Sequence, residues 1–270
     1  MSLTLGTGPL AGHPGGAFNF TLDDAPKHRI LFEPYPRRLR AVVGDRVVLD
    51  TTRAKLLHET GMLAVPYVPL EDVDPDVLVR TDRSSHCPFK GDASYWSIRV
   101  GERELESVVW GYEDPMEGAG WLRGHVALYW DRIDAWYVED ERVFAHLRDP
   151  YHRIDVLETT RPARVRIGGV VVAESEHAKL LYETSLPPRV YLPTADVAPG
   201  ALVPSAKRTR CPYKGEASYW SVQVDGRRHE DAAWSYEAPL ADALKVTGHV
   251  SFDGDDVEVE LEEPRDRFSL

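Results

Sequence analysis

An internal repeat with a constant offset is the feature that most constrains the fold of this chain. The stretch CPFKGDASYWS at 87–97 returns as CPYKGEASYWS at 211–221, an offset of 124 positions (211 minus 87). The same offset relates 44–126 to 168–250 without any insertion or deletion. A period of this length is typical of a whole domain rather than of a solenoid repeat. We therefore predict two tandem domains that share one fold.

The boundary between the two copies is predicted near residue 150. The segment HLRDPYHRIDVLETTRP is polar and carries Pro150 and Pro162, which suits a linker that leads into the first strand of the second copy. The first twenty residues, MSLTLGTGPLAGHPGGAFNF, are rich in Gly and Pro and lack the basic and apolar regions of a signal peptide. We predict a poorly ordered arm at 1–29, a first domain at 30–150 and a second domain at 151–270.

The composition excludes several classes of protein. With 270 residues, of which 43% are hydrophobic and 28% charged, the chain is long enough for two modest cores. No apolar run approaches the roughly 20 residues that a membrane span requires, so we expect no membrane association and a cytoplasmic location. The 44 acidic residues outnumber the 32 basic ones, and the net charge of -12 would repel a nucleic acid. We expect a monomer in which the two copies form an intramolecular pseudo-dimer.

Alternating apolar residues predict short antiparallel strands in each copy. LRAVVGDRVVLD and RVRIGGVVVAE place β-branched runs on both sides of a Gly-Asp or Gly-Gly pair, which is typical of a tight hairpin. TTRAKLLHET and SEHAKLLYET place a Thr or Ser before Ala-Lys-Leu-Leu at helical spacing, which predicts one short capped helix per copy. YVPLEDV, SYWSIRV, ESVVWGYE and GHVALYW follow as further strands. The expected fold class is mainly β, with one short helix in each domain.

Several motifs of the chain resemble those of one known family. CPFKGDASY and CPYKGEASY, WGYEDP and WSYEAP, YWDRIDAWYVED and RDPYHRIDV are similar to motifs of the domain of unknown function 427 family in its two-domain form. The resemblance covers almost all of 30–255. It implies two β-tent-like domains, each with two antiparallel sheets that meet at an angle, related to the drug-binding domain of cereblon. After Val250 the second copy departs from the first, because SFDGDDVEVE replaces ALYWDRIDAWYVED.

The two cysteines of the repeated motif, Cys87 and Cys211, have several possible roles. Structural zinc needs four nitrogen or sulfur ligands, usually from paired C-x-x-C elements, and neither copy contains one. Relatives of the β-tent fold carry such a zinc, so the resemblance implies that this family has lost it. We expect no metal, no cofactor and no disulfide. An inert buried cysteine is favoured over a thiolate nucleophile activated by Lys90 or Lys214.

The lysines of the motif are the candidate polar anchors for a ligand. Lys90 and Lys214 each precede a glycine in a proline-containing loop, where the backbone can hold an ammonium at a defined point. Lys55 precedes Glu59 by four residues on the predicted helix, and the second copy repeats this spacing. For that pair we favour an ion pair on a solvated helix face.

The aromatic residues of the strands complete the predicted site. Alternation places Trp96 and Tyr95 on opposite faces of one strand, while Trp110 and Tyr112 share one face of the next. These rings predict an aromatic pocket, and plain core packing is an equal alternative for Trp96 and Trp220. The candidate ligand-binding residues are Tyr67, Cys87, Lys90, Tyr95, Trp96, Trp110 and Tyr112 in the first copy, and Tyr191, Cys211, Lys214, Tyr219, Trp220, Trp234 and Tyr236 in the second.

Three classes of function remain open at this level. The favoured one is a module that binds a small planar or cationic ligand in an aromatic pocket of each domain. The second is an enzyme that acts through cysteine or by nucleotidyl transfer, which some labels of the resembling family imply. Nucleotidyl transfer requires a phosphate cradle, which the sequence lacks, and clustered carboxylates, for which DGDD at 253–256 is the one candidate. The third is a non-catalytic scaffold. No catalytic residue is assigned.

Overall fold

The chain divides into two compact units, 1–149 and 150–270. A computed structural model describes residues 3–13, 15, 19 and 26–263. The arm predicted at 1–29 therefore lies in part outside the described residues. Its described part is hydrogen-bonded to the turn after Glu59, because Gly61 N donates to Thr4 O and Thr60 Oγ1 donates to Leu10 O, each at 2.9 Å.

The first domain consists of two antiparallel sheets. Its strands are β1 (Ile30–Pro34), β2 (Leu39–Val43), β3 (Arg46–Thr51), β4 (Lys55–Glu59), β5 (Val65–Pro69), β6 (Leu78–Cys87), β7 (Gly91–Val100), β8 (Arg103–Gly111), β9 (His125–Leu128), β10 (Ala135–Val138) and β11 (Glu141–Val143). Seven strands pair in the order β1-β4-β5-β9-β8-β7-β6, and four pair in the order β11-β10-β2-β3.

The second domain repeats this plan with one smaller sheet. Its strands are β12 (Ile154–Glu158), β13 (Ala163–Ile167), β14 (Val170–Ser175), β15 (Lys179–Glu183), β16 (Arg189–Pro193), β17 (Leu202–Cys211), β18 (Gly215–Val224), β19 (Arg227–Ser235), β20 (His249–Phe252) and β21 (Val257–Leu261). The seven-stranded order is β12-β15-β16-β20-β19-β18-β17, and the three-stranded order is β14-β13-β21. The predicted mainly β fold in two tandem halves is confirmed.

The strands β4, β5 and β9 of the seven-stranded sheet of the first domain are buried on both faces. One core lies between the two sheets and contains Leu39 and Leu56. A second core on the opposite face contains Leu57 and Tyr67, and the 3₁₀ segment Glu117–Leu122 packs onto it. The second domain has the same two cores, with the 3₁₀ segment Ala241–Val246 in the equivalent place. In each domain, the candidate site lies on the sheet face that carries this second core, opposite the core between the two sheets.

The prediction of a helix at Ala-Lys-Leu-Leu is wrong. These residues form β4 and β15, which pair with strands on both sides. Leu56 and Leu57 are both buried, and they face different cores because successive side chains of a strand point to opposite faces. A strand buried on both faces has consecutive apolar residues, and such a run cannot be distinguished from a short helix by periodicity. Among the described residues, the longest helical segment of each domain is instead the six-residue 3₁₀ segment Glu117–Leu122 or Ala241–Val246.

The two predicted Gly-containing hairpins are confirmed. β2 and β3 pair around Gly44, and β13 and β14 pair around Gly168 and Gly169. These three glycines have φ angles of 61°, 58° and 85°, which side chains with a Cβ rarely adopt. Within the described residues, no helix is long and apolar enough to cross a membrane.

We expect Leu56→Ala and Leu57→Ala to destabilise the first domain to a similar degree, because each removes a buried side chain from a different core. Each loss of unfolding free energy should be about 2–5 kcal/mol. Leu63→Ala, at a position that is 44% exposed, should change it by less than about 0.5 kcal/mol. Urea unfolding followed by circular dichroism measures all three. A negligible effect at one of the two adjacent leucines would indicate an amphipathic helix and contradict the strand.

Candidate functional site

The repeated Cys-Pro-aromatic-Lys-Gly motif forms the tight turn between β6 and β7, and again between β17 and β18. Cys87 pairs with Gly91 at the end of the ladder, and Lys90 N donates to Cys87 O at 3.3 Å. Gly91 has a φ of 101°, which favours glycine at this place. The turn is fixed from outside as well, because Met116 N donates to Lys90 O at 3.0 Å. The backbone therefore holds the lysine in a defined position.

A buried carboxylate receives this lysine. Lys90 Nζ lies 2.5 Å from Glu59 Oε2, and His28 Nε2 donates to Glu59 Oε1 at 2.7 Å. Lys90 and Glu59 are only 7% and 5% exposed. We call this arrangement the Lys-Glu-His cluster. It consists of Lys90, Glu59 and His28 in the first domain and of Lys214, Glu183 and His152 in the second.

The second-domain cluster repeats these contacts. Lys214 donates to Glu183 Oε2, and His152 Nε2 donates to Glu183 Oε1 at 3.0 Å. Burial by itself raises the pKa of Glu183, but the hydrogen bonds from His152 and Lys214 outweigh it and lower the pKa to about 2. Glu183 is therefore an anion throughout the neutral range.

The aromatic residue of the turn stacks on the histidine of the cluster. The Phe89 and His28 ring centroids are 3.9 Å apart, and the same distance separates Tyr213 from His152. This contact explains why the motif carries an aromatic residue between proline and lysine. The ring holds the histidine in the orientation that its bond to the carboxylate requires.

The ion pair joins strands that are far apart in the sheet. Glu59 ends β4, whereas Lys90 lies between β6 and β7, and the order β4-β5-β9-β8-β7 places four steps between them. Neighbouring strands are about 4.8 Å apart, so a flat sheet would separate them by roughly 19 Å. The contact therefore requires a strongly curled sheet. Glu59 shares a face with Leu57, so the second core lies on the concave side.

In each domain, two of the predicted aromatic residues lie on this concave face of the sheet. Trp110 Nε1 donates to Tyr67 OH at 3.3 Å, and Trp234 Nε1 donates to Tyr191 OH at 3.1 Å. Burial raises the pKa of both tyrosines well above the usual range, so both phenols stay neutral. Each tryptophan thus has the N–H partner that a partly buried indole needs.

The cysteines are free and lie beside tyrosines of the same face. Cys87 is hydrogen-bonded to the phenol of Tyr112, whereas Cys211 acts on Tyr236 through its charge. Burial raises the pKa of Tyr112 and Tyr236 far above the ordinary value. Both thiols are partly buried. Among the described residues, no three His, Cys, Asp or Glu side chains are close enough to hold a metal ion.

The other predicted residues divide between the two faces. Tyr95 lies with the second core, where its hydroxyl is 2.8 Å from Ser85 Oγ. Trp96 lies in the core between the sheets, and Trp220 packs against the equivalent core of the second domain. The alternation along the strand predicted this separation. Trp96 and Trp220 are therefore not brought together with the cluster.

A cleft in the second domain contains most of the predicted residues of that copy. Its volume is about 670 Å³. The predicted residues that line it are Tyr191, Lys214, Tyr219, Trp234 and Tyr236. Charged side chains surround them, namely Glu183, Arg189, Lys207, Asp231, Asp253 and Asp255. The structure thus places four aromatic side chains and the turn lysine around one concave space.

In the first domain an aromatic ring covers the equivalent tryptophan. Tyr129 packs on Trp110 with ring centroids 4.5 Å apart. The constant offset places Asp253 at the position of Tyr129, and Asp253 forms an ion pair with Arg189 at 2.8 Å. The loss of sequence similarity after Val250 therefore removes an aromatic cover from the second domain.

Sequence reasoning missed the acidic and histidine members of the cluster. The sequence predicts Glu59 on a helix beside Lys55, and it predicts His28 within the N-terminal arm. The tripeptide His-Arg-Ile at 28–30 returns at 152–154 with the same offset of 124. Extending the repeat toward the N-terminus would have identified both histidines.

Comparison with known families places both halves in one group. The model of a family described as "Domain of unknown function (DUF427)" matches residues 31–139 and again 155–263. None of the curated proteins matches the chain.

We expect Glu183→Gln to destabilise the second domain near neutral pH, because it leaves the partly buried ammonium of Lys214 without a carboxylate. Removing one partner of a buried pair costs about 3–5 kcal/mol. The pKa of Glu183 is lowered from 4.5 to about 2. The stabilising effect is therefore complete above pH 4.5 and is lost as the pH falls toward 2. Urea unfolding at a series of pH values should show the difference from wild type shrinking over this range.

Glu216→Gln is the matched control for this measurement. Glu216 is a carboxylate on the surface, paired with Arg210 at 2.8 Å, and exposed pairs contribute at most about 1 kcal/mol. A destabilisation by Glu183→Gln that stays constant down to pH 2 would contradict the buried anion.

Proposed function

The chain belongs to the domain of unknown function 427 family, in two tandem copies, and we propose that it binds a small planar or cationic ligand in the cleft of its second domain. The observation that carries this proposal is the aromatic cleft itself. Its volume of about 670 Å³ lies within the range of about 300–1,000 Å³ that small-molecule sites occupy. A scaffold would instead bury the repeated residues with no cavity beside them.

The charges of the cleft favour a cation. Its cationic side chains are each paired with a carboxylate: Arg189 with Asp253, Lys207 with Asp231 and Lys214 with Glu183. Asp255 also lines the cleft, and it forms no ion pair with any residue that the structure describes. The cleft therefore has one unneutralised negative charge, which attracts a positively charged ligand.

The ring faces of the cleft support a planar ligand. The guanidinium of Arg189 lies 5.5 Å from the ring centroid of Trp234, and the ammonium of Lys207 lies 4.3 Å from that of Tyr219. Both side chains are on the surface, so a ligand can displace them from the rings. A cation over an aromatic face gains about 0.5–2 kcal/mol, more when water is excluded.

Lys214 supplies a second type of contact. Its ammonium has three N–H donors, and one of them is used by Glu183. The remaining donors suit a hydrogen-bond acceptor on the ligand. We therefore expect a planar cation that carries a carbonyl or similar acceptor, held between Trp234 and Lys214. The sequence predicts a pocket in each domain and, because the second copy departs from the first after Val250, tighter binding in the first. The packing of Tyr129 on Trp110 instead favours the second domain.

We expect 1-methylnicotinamide, a planar cation with a carbonyl acceptor, to quench the tryptophan fluorescence of the protein and to bind with heat measurable by calorimetry. Asp253→Tyr gives the second domain the aromatic cover that the first domain already has, and it should weaken binding about tenfold or more. Trp234→Ala should do the same, because it removes a stacking face. Neutral nicotinamide should bind more weakly than the cation.

Trp110→Ala is the matched control, because it makes the same change in the first domain and should leave the affinity unchanged. Circular dichroism verifies that Asp253→Tyr, an exchange at an exposed position, keeps the fold. The proposal fails if no planar cation binds, or if Asp253→Tyr and Trp234→Ala bind the probe as tightly as the wild type.

A further inference from the structure

We propose that the second domain has a separate site for a small carboxylic acid. A cavity of about 740 Å³ lies near the ends of β12, β15 and β16, and Thr159, Arg161, Lys179 and His249 are among its lining residues. It shares no lining residue with the aromatic cleft. We call it the anion cavity. The argument for it does not depend on the ligand proposed for the cleft.

The first domain shows how the anion cavity arose. Thr159 stands where the first domain has Tyr35, a ring that is 1% exposed in the core. The backbone is the same at both places, because Tyr35 N donates to Ala54 O at 2.8 Å and Thr159 N donates to Ala178 O at 3.3 Å. Replacing the tyrosine by threonine removes the ring and leaves space in an otherwise conserved frame.

A second aromatic residue of the first domain, Phe32, packs on the opposite face of the sheet from Tyr35 and is also absent from the second domain. In the first domain the ammonium of Lys55 lies 5.1 Å from the ring centroid of Phe32. The second domain has Val156 at that position, and Lys179 Nζ donates instead to the carbonyl oxygen of Lys245 at 2.8 Å. The lysine of the second domain therefore lacks the aromatic face that its counterpart covers.

Arg161 and Lys179 are the arginine and lysine side chains that line the anion cavity. Arg161 Nε donates to Glu262 O at 2.7 Å, and Nη2 donates to Leu261 O at 3.3 Å. These carbonyls fix the guanidinium without neutralising it. Neither Arg161 nor Lys179 forms an ion pair with a carboxylate of the described residues. In the cleft, by contrast, every lysine and arginine has such a partner. Two carboxylates, Glu158 and Glu176, balance these charges within the cavity, but Arg161 and Lys179 can still donate charge-assisted hydrogen bonds to an anion.

The remaining lining residues define the size and shape of the ligand. Ala178 and Pro193 form an apolar wall. His249 Nδ1 donates to Thr247 O at 3.0 Å, because a carbonyl can only accept, so Nε2 of the neutral ring keeps its lone pair and His249 lines the cavity without donating to a carboxylate. Two exposed carboxylates, Glu158 and Glu176, also line the cavity, and Glu158 lies directly across the strand pair from Lys179. These carboxylates disfavour multiply charged anions, so a monocarboxylate with an apolar body fits best.

Benzoate is the probe that tests this proposal on the full chain. We expect it to bind the wild type in calorimetry and to shift the His249 ring signals in NMR spectra. Thr159→Tyr, which restores the ring of the first domain, should abolish binding. Lys179→Gln should weaken it about tenfold or more, the value of a charge-assisted hydrogen bond. Asp253→Tyr, which closes the cleft, should leave benzoate binding intact and so separates the two sites.

Lys55→Gln is the matched control, because it removes the equivalent lysine of the first domain, where Tyr35 fills the space. It should bind benzoate as the wild type does. Inorganic phosphate should bind more weakly than benzoate, because it lacks an apolar body. The proposal is overturned if benzoate does not bind the wild type, if Thr159→Tyr keeps wild-type affinity, or if Lys55→Gln and Lys179→Gln lose affinity equally.

Discussion

A buried carboxylate held between a lysine and a histidine is the constraint around which each domain is built. Removing a carboxylate from water is costly unless charged hydrogen-bond donors surround it, so Glu59 and Glu183 require their partners in place. The partners come from the turn between the sixth and seventh strands of each domain, β6–β7 or β17–β18, and from the residues before the first strand of that domain. One interaction therefore draws distant parts of the chain together and curls the sheet. The concave face that results is where the aromatic residues gather.

The turn motif serves this interaction. Proline, the aromatic residue and glycine each fix one part of the turn, and the lysine reaches the carboxylate because the backbone aims it there. The aromatic ring also supports the histidine, which explains Phe89 in one copy and Tyr213 in the other. The repeated motif is thus fully used within each domain. A ligand in the second domain would use the donors of Lys214 that Glu183 leaves over.

Much of the fold could be predicted from the sequence, and the errors have physical causes. Gly-containing hairpins and alternating strands carry local signals, and the offset of 124 extends them to both copies. The strand at Leu56 and Leu57 was misassigned because burial on both faces erases alternation. That error also hid the site, since a helix placed Glu59 beside Lys55 in solvent. The bond from Glu59 to Lys90 spans 31 positions, and no local pattern encodes a contact of that kind.

The duplication gives each position of one domain an internal reference in the other. At two places where the first domain packs a tyrosine, the second has a smaller polar residue, Thr159 for Tyr35 and Asp253 for Tyr129. Both exchanges leave the surrounding strands in register and leave space where the ring was. A small molecule bound in either space would occupy the volume that a tyrosine ring of the chain itself fills in the first domain. The second domain therefore lacks two tyrosine rings that complete the packing of the first domain, and another molecule can fill either place.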